Sequence, residues 1–242
     1  MNTLDEVIEL YTIEHDAKHK IIYDCFKNNA TVYNNGLLSN HYDKTDGFGE
    51  LAFYWNWLLL VKSMPDHFNF LEIGVYKGRV LSVIQLLSNV FNKSAKIYGV
   101  TPLENFGDKY SNYEKADFLS CIHKSFSALD LTFENTTIIN GLSQHGHIIA
   151  EVREQADYDI IFIDGCHDYE IVRLDIINYS PMLKVGGYLV LDDASSLLKG
   201  AYGQFLGHAD VARAIQTVLD KDDRFLHAYA VGHNRIWKKI RE

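Results

Sequence analysis

Phe68-Asn-Phe-Leu-Glu-Ile-Gly-Val-Tyr-Lys-Gly78 decides the fold. It begins as a short apolar run and ends between two glycines. Val80-Leu-Ser-Val-Ile-Gln-Leu-Leu87 then places apolar residues at helical spacing. Strand, tight glycine turn and helix form the first unit of a nucleotide-type α/β domain. Gly74 allows a turn that a Cβ would obstruct, and Gly78 allows the helix to approach the strand closely. Glu72 stands at the carboxyl end of the strand, where open α/β sheets bind their ligands. The glycine spacing is GxxxG, not GxGxxG. A carboxylate at this point repels a pyrophosphate seated on the helix N-terminus and favours a cationic ligand.

The same alternation continues along the chain. Lys96–Val100, Thr136–Asn140, Tyr158–Asp164 and Gly186–Asp192 read as strands. Helices are expected over Asp117–Leu129, Ser143–Glu154, Tyr169–Tyr179 and His208–Leu219. Tyr158-Asp-Ile-Ile-Phe-Ile-Asp164 has the composition of a strand buried on both faces. Phe225–Ala230 and Asn234–Lys238, joined by a turn at Gly232, read as a closing hairpin. The fold class is therefore α/β: a doubly wound, seven-stranded, mostly parallel sheet with an antiparallel C-terminal hairpin and an N-terminal helical extension.

The first 45 residues read as that extension, and residues 46–242 as the main domain. Leu4, Val7, Ile8 and Tyr11 recur at helical spacing, as do Ile21, Ile22, Cys25 and Phe26. His15 and His19 stand four apart, but no metal-binding signature surrounds them, so a solvated helix face is the expectation. Asn34-Asn-Gly36 is a turn, and Thr45 or Asp46 is the expected cap of an apolar helix over Glu50–Lys62. The 242 residues carry a net charge of −9, which opposes a general phosphate-backbone binder. Cys25, Cys121 and Cys166 are widely spaced and odd in number, which fits a reducing compartment. No apolar run approaches membrane-spanning length. The expectation is a cytoplasmic protein without nucleic-acid or membrane partners, open to homo-oligomer formation through its N-terminal helices.

Three motifs carry a family resemblance: Leu71-Glu-Ile-Gly-Val-Tyr-Lys-Gly78, Phe162-Ile-Asp-Gly-Cys-His-Asp168 and Gly186-Gly-Tyr-Leu-Val-Leu-Asp-Asp193. With the terminal hairpin, they resemble class I S-adenosylmethionine-dependent methyltransferases. Within that class the chain is similar to the macrocin-type sugar O-methyltransferases and cephalosporin-hydroxylase-like proteins, over roughly residues 48–240. The resemblance implies a Rossmann-like methyltransferase fold. It implies S-adenosylmethionine binding by Glu72, Gly74, Val75, Tyr76 and Gly78 in the first loop. It further implies Thr101 after the second strand, Leu142 and Ser143 against the adenine, and Asp164. Asp164, Asp192 and Asp193 then hold Mg²⁺ or another hard divalent cation.

Elementary chemistry runs parallel to this. If the fourth and fifth strands are neighbours, their ends lie roughly 5 Å apart. Three carboxylates on one rim repel each other unless protons or a cation intervene. Asp192 and Asp193 face opposite ways in a regular strand, so both serve one ion only if the strand ends there. His167 is the first choice as general base and Asp164 the second. The plainer alternatives are a helix cap for Asp164 and a solvated turn for Asp192-Asp193. Cys166 is expected to be a small filler, His145 and His147 a helix-start loop, and Arg235 and Lys238 solvent-facing charges. One departure stands out: Val100-Thr101-Pro102 occupies the place where the family carries an acidic residue for the ribose hydroxyls, leaving Glu104 as a substitute. Asn105–Tyr113 has the composition of a lid or a sugar platform.

The expected function is divalent-metal-dependent O-methylation, from S-adenosylmethionine, of a hydroxyl on a small glycosidic or polyol-bearing acceptor. The alternatives are a non-catalytic relative that binds the cofactor or a sugar, and an NAD-linked oxidoreductase, which Glu72 and the missing GxGxxG oppose.

Overall fold

The computed structural model describes the chain except residues 14 and 156 and the side chains of residues 13 and 15–17. The predicted alternation is present. Seven strands, β1 (His67–Ile73), β2 (Ser94–Thr101), β3 (Thr136–Asn140), β4 (Tyr158–Ile163), β5 (Leu183–Leu191), β6 (Phe225–Val231) and β7 (Asn234–Lys239), form one sheet. Its order is β3-β2-β1-β4-β5-β7-β6. The first five strands pair in parallel, whereas β7 pairs antiparallel to both β5 and β6. Chain order reverses between β1 and β4, and a ligand crevice is expected outside the carboxyl ends of such a switch point.

Alternation along each strand splits the core in two. Phe68, Phe70, Ile160 and Phe162 pack on one face with α4 (Leu51–Ser63) and α5 (Arg79–Val90). Leu71, Ile73, Ile161 and Ile163 pack on the other with α7 (Gly146–Glu154), α8 (Tyr169–Tyr179) and α9 (Ala209–Thr217). Every residue of β4 is buried, as its uninterrupted apolar run requires. The crossover from β2 to β3 carries α6 (Phe118–Ser127), whose first turn is capped by the Asp117 carboxylate accepting from Ser120 N at 3.0 Å.

The N-terminal helices α1 (Leu4–Ile13) and α2 (His15–Val32) contribute Leu4, Val7, Tyr11, Ile22, Tyr23 and Phe26 to the same apolar core as α4 and β6. The His15 side chain lies outside the described residues. His19 is buried, not solvated, and its Nδ1 accepts from Tyr202 N at 2.7 Å. A further helix, α3 (Leu37–Lys44), stands where the sequence suggested none. It buries only Leu38 and His41, too few for a readable stripe. The expected cap of α4 also differs. Glu50 holds the N-cap position without a side-chain cap, while Thr45 Oγ1 donates to His41 O at 2.8 Å and closes α3. Among the described residues, no helix is long and apolar enough to cross a membrane.

Candidate active site

The carboxyl ends of four parallel strands open onto one cleft. Gly74, Val75 and Tyr76 follow β1, Thr101 ends β2, Leu142 and Ser143 follow β3, and Asp164 follows β4; all of them line it. Glu104 and Phe106 enter from the β2–α6 loop. The residues expected to hold the cofactor are thus brought together, with two exceptions. Glu72 is buried but does not line the cleft; it belongs to the face that carries Phe70. Gly78 is the N-cap of α5 with φ +79°, and a Cβ there would press on Ile122 of α6. Gly74, at φ +98°, is tighter still, because a Cβ would collide with the Asp164 carbonyl and Gly165. That glycine lets the β1 and β4 ends approach each other and so shapes the cleft floor.

Thr101 departs from a simple substitute for a carboxylate. Its Oγ1 already accepts from Leu103 N at 3.3 Å, leaving the hydroxyl proton as its remaining resource. Glu104 lines the same cleft and brings a carboxylate to it. The donor set therefore fits S-adenosylmethionine: apolar walls at Val75, Leu142 and Ile171, acidic groups at Asp164 and Glu104, and an open glycine turn.

Beside this cleft the acidic residues converge. Asp192 and Asp193 follow the last residue of β5, and Asp193 adopts φ +53°. The strand thus ends in time for both carboxylates to turn inward. Asp192 N donates to Ile163 O at 3.0 Å and Asp164 N to Ile73 O at 2.8 Å, aligning the β4 and β5 ends. Asp164 is held well above the usual carboxylate range by burial, reinforced by Asp192, Asp193 and Glu72. Asp192 moves the opposite way: burial opposes its charge, but the His233 imidazole outweighs that and lowers it. Glu72 is pushed up to about 8 by burial and the Asp192 charge, and its Oε2 has no hydrogen-bond partner among the described residues. Three neighbouring aspartates and a buried Glu72 with an unpartnered oxygen form a donor set that a divalent cation relieves.

Histidines that sequence reasoning did not assign complete the cluster. His233 Nε2 lies 3.2 Å from Asp192 Oδ1 and 3.9 Å from Asp193 Oδ1. His208 Nε2 lies 3.4 Å from Asp193 Oδ2. Two groupings, His167–Asp193–His208 and Asp192–Asp193–His233, keep their ligand atoms within 4.8 Å of one another. No local motif announces His208 or His233; one precedes a helix and the other occupies a hairpin turn.

His167 is tied on both sides. Its Nδ1 contacts Asp108 Oδ2 at 2.7 Å and its Nε2 contacts Asp193 Oδ2 at 3.0 Å. Burial disfavours its charge, but the two carboxylates outweigh it and raise the imidazole above its ordinary value. In this arrangement His167 has no nitrogen free to act as a base, and the Asp193 contact must open first. Asp108 belongs to the Asn105–Tyr113 loop, which reaches over the cleft. Lys109 pairs with Asp210, and the Tyr110 ring stacks on His208 with centroids 4.1 Å apart. Cys166 is half-buried, and its thiol is pushed up to about 11 by burial, which suits a filler better than a nucleophile. Arg235, expected in solvent, is buried with its guanidinium 4.6 Å from the Trp237 ring centroid.

A family model described as a methyltransferase domain matches residues 71–194, from β1 to the Asp192-Asp193 corner. The chain belongs to this methyltransferase family. The matched span holds the glycine turn, the cleft and the three aspartates. Among curated proteins no relative matches this methyltransferase. Several solved structures share its fold at low identity. The calicheamicin methyltransferase CalS11 superposes with a TM-score of 0.57 at 14% identity, covering 90% of this chain and 91% of that one. The O-methyltransferase NovP gives 0.53 at 16% identity, with 98% of each chain covered. MycE, from the mycinamycin biosynthetic pathway and solved with Mg and SAH, gives 0.51 at 16% identity over 84% of this chain and 53% of its own.

Proposed function

We propose that this methyltransferase transfers the methyl group of S-adenosylmethionine to a hydroxyl of a small glycosidic or polyol-bearing acceptor, with a divalent cation at Asp164, Asp192 and Asp193. The observation that carries the reading is the convergence of these carboxylates beside the cleft formed by the ends of β1 to β4. A cation held there supplies charge that eases loss of the acceptor's hydroxyl proton. Gly74, Val75 and Tyr76 hold the methionine end of the cofactor, and Leu142 and Ser143 border the adenine. Thr101 and Glu104 share the ribose. Asp164 gives up its proton when the cation binds, so that the ion takes over the role of holding the acidic rim together. His167 takes the acceptor proton once its Nε2 leaves Asp193, with Asp108 orienting the ring through Nδ1.

Exposed aromatic rings support a sugar-bearing acceptor. Phe48 stacks on Tyr76 at 5.0 Å and approaches Tyr113, while Phe106, Tyr110 and Phe205 remain substantially exposed near the same rim. Flat aromatic faces suit the apolar faces of sugar rings. The kinship in fold with CalS11, a TDP-rhamnose 3'-O-methyltransferase, supports the same class of acceptor, and that with the O-methyltransferase NovP supports a hydroxyl as the methyl acceptor. A cytoplasmic setting belongs to this reading and is supported by three free cysteines.

The test is transfer of a labelled methyl group from S-adenosylmethionine to a panel of nucleotide sugars and glycosides, with and without chelator. The expected result is labelled product that chelator suppresses and added divalent ion restores. Cofactor binding without transfer to any hydroxyl acceptor would favour the second reading, a non-catalytic relative, which the engaged Thr101 hydroxyl alone recommends.

A further inference from the structure

His233 does not line the cofactor cleft; it stands beside Asp192, at the turn between β6 and β7. Its placement is built by several elements. Gly232 adopts φ +54°, and a Cβ there would press on Phe53 of α4, so the turn lies flat against that helix. Ala194 N donates to His233 O at 2.8 Å, binding the turn to the residue after Asp193. The His233 ring meets Phe53 edge-on with centroids 4.5 Å apart, and only 6% of the residue is exposed. Glu50 Oε1 lies 3.5 Å from His233 Nδ1, an ion-pair contact without a hydrogen bond between the two atoms. Tyr23 of α2 donates its hydroxyl to Glu50 Oε2. Glu50 thus faces the Nδ1 side of the ring, and Nε2 faces Asp192 and Asp193.

A carboxylate on one imidazole nitrogen, leaving the other aimed at carboxylate oxygens, is the arrangement that fixes a metal-ligating histidine. The spacing agrees. Donor atoms about 2.1 Å from one ion and about 90–110° apart stand about 3.0–3.4 Å from each other, and His233 Nε2 lies 3.2 Å from Asp192 Oδ1. Glu72 is only 3% exposed and has an unpartnered carboxyl oxygen, a second sign of a donor set made for a cation. Imidazole favours borderline transition ions, whereas Mg²⁺ prefers oxygen donors alone.

We infer that His233 is a ligand of the metal site, with the Glu50 carboxylate facing its other nitrogen, and that this makes the site one for a borderline transition ion rather than for Mg²⁺. The inference rests on the carboxylate site proposed above and names its ion class. The rival role for His233 is a fixed cation that neutralises Asp192 and competes with metal. The two roles predict opposite signs when the ring is removed.

The experiment uses the full-length protein without nucleotide. Co²⁺ and Mg²⁺ affinities are measured by calorimetry on wild type, His233→Ala, Glu50→Gln and Asp192→Ala, with thermal melts of each variant to confirm folding. Bound Mn²⁺ is examined in parallel by pulsed electron paramagnetic resonance for nitrogen modulation. The expected result is nitrogen modulation in wild type that His233→Ala removes, and Co²⁺ binding weakened about tenfold or more in that variant. Mg²⁺ binding changes little. Glu50→Gln leaves the ring in place, so it weakens Co²⁺ by a similar factor while keeping the nitrogen signal. Unchanged or tighter Co²⁺ binding in His233→Ala, or nitrogen modulation that survives it, overturns the inference. If Mg²⁺ still binds and Asp192→Ala abolishes it, the carboxylate site stands without His233. If wild type binds none of these ions, the carboxylate site falls and the inference with it.

Discussion

Thr101 stands where the family resemblance implies an acidic residue, and its part in cofactor binding is testable. A carboxylate there accepts from two ribose hydroxyls, whereas the threonine oxygen is shared with Leu103 N. Thr101→Asp is expected to tighten S-adenosylmethionine binding about three- to tenfold, the worth of roughly one extra hydrogen bond. Calorimetric titration checks it; weaker binding would mean that Glu104 already fills the role. His41 gives a second residue-level prediction, remote from the site. It is fully buried between Tyr54 Oη at 2.9 Å and Ser82 Oγ at 3.0 Å, and burial, aided by Arg79, pushes its imidazole down to about 3. Unfolding lets it protonate near its ordinary value of about 6.5. Its contribution is therefore complete above about pH 7, and falls by up to about 1.4 kcal/mol per pH unit from there towards pH 3. His41→Gln removes this term, so urea midpoints of variant and wild type should converge as pH falls from about 7 to about 5. Parallel curves would contradict the buried neutral imidazole.

At the scale of elements, the strands and the crossover helices were legible because their signals are local. Tyr158–Ile163 is buried throughout, and its apolar run says so; Gly74 and Gly78 mark a turn that the backbone needs. The aspartates were legible as well, since a strand's last residue announces where it points. Asp193 required more, because the left-handed backbone that brings it beside Asp192 carries no glycine to signal it. Glu50, His208 and His233 were not legible. Each sits in a loop or at a helix start, and each earns its place through partners far away in sequence. The short helix α3 escaped notice for a different reason: its two buried residues define no stripe. The glycine turn yields the prediction for this scale. Gly74→Ala forces a Cβ into the Asp164 carbonyl at a positive φ, and is expected to cost about 2–4 kcal/mol. At this chain length that lowers Tm by roughly 4–16 °C in a thermal melt. A melt within about a degree of wild type would show that the β1–β4 approach is looser than described.

Over the whole molecule, the N-terminal helices matter more than an appendage would. Tyr11, Ile22 and Phe26 are buried in the core shared with α4 and β6, and Trp55 Nε1 donates to Met1 O at 3.1 Å. Deleting residues 1–32 exposes the outer face of α4, which is apolar on every side. The truncated protein is expected to lose its cooperative thermal transition and to aggregate; a sharp transition with retained cofactor binding would show an independent main domain. The sheet, the cleft at its switch point and the acidic corner beside it otherwise form one design, in which strand ends deliver each group to the same edge.

The measurement that tests this account most directly is calorimetric titration of S-adenosylmethionine, with and without divalent ion, into wild type and Asp192→Ala. The account predicts that both proteins bind the cofactor, and that only wild type binds the ion. Absence of cofactor binding by wild type under either condition would contradict the methyltransferase cleft itself.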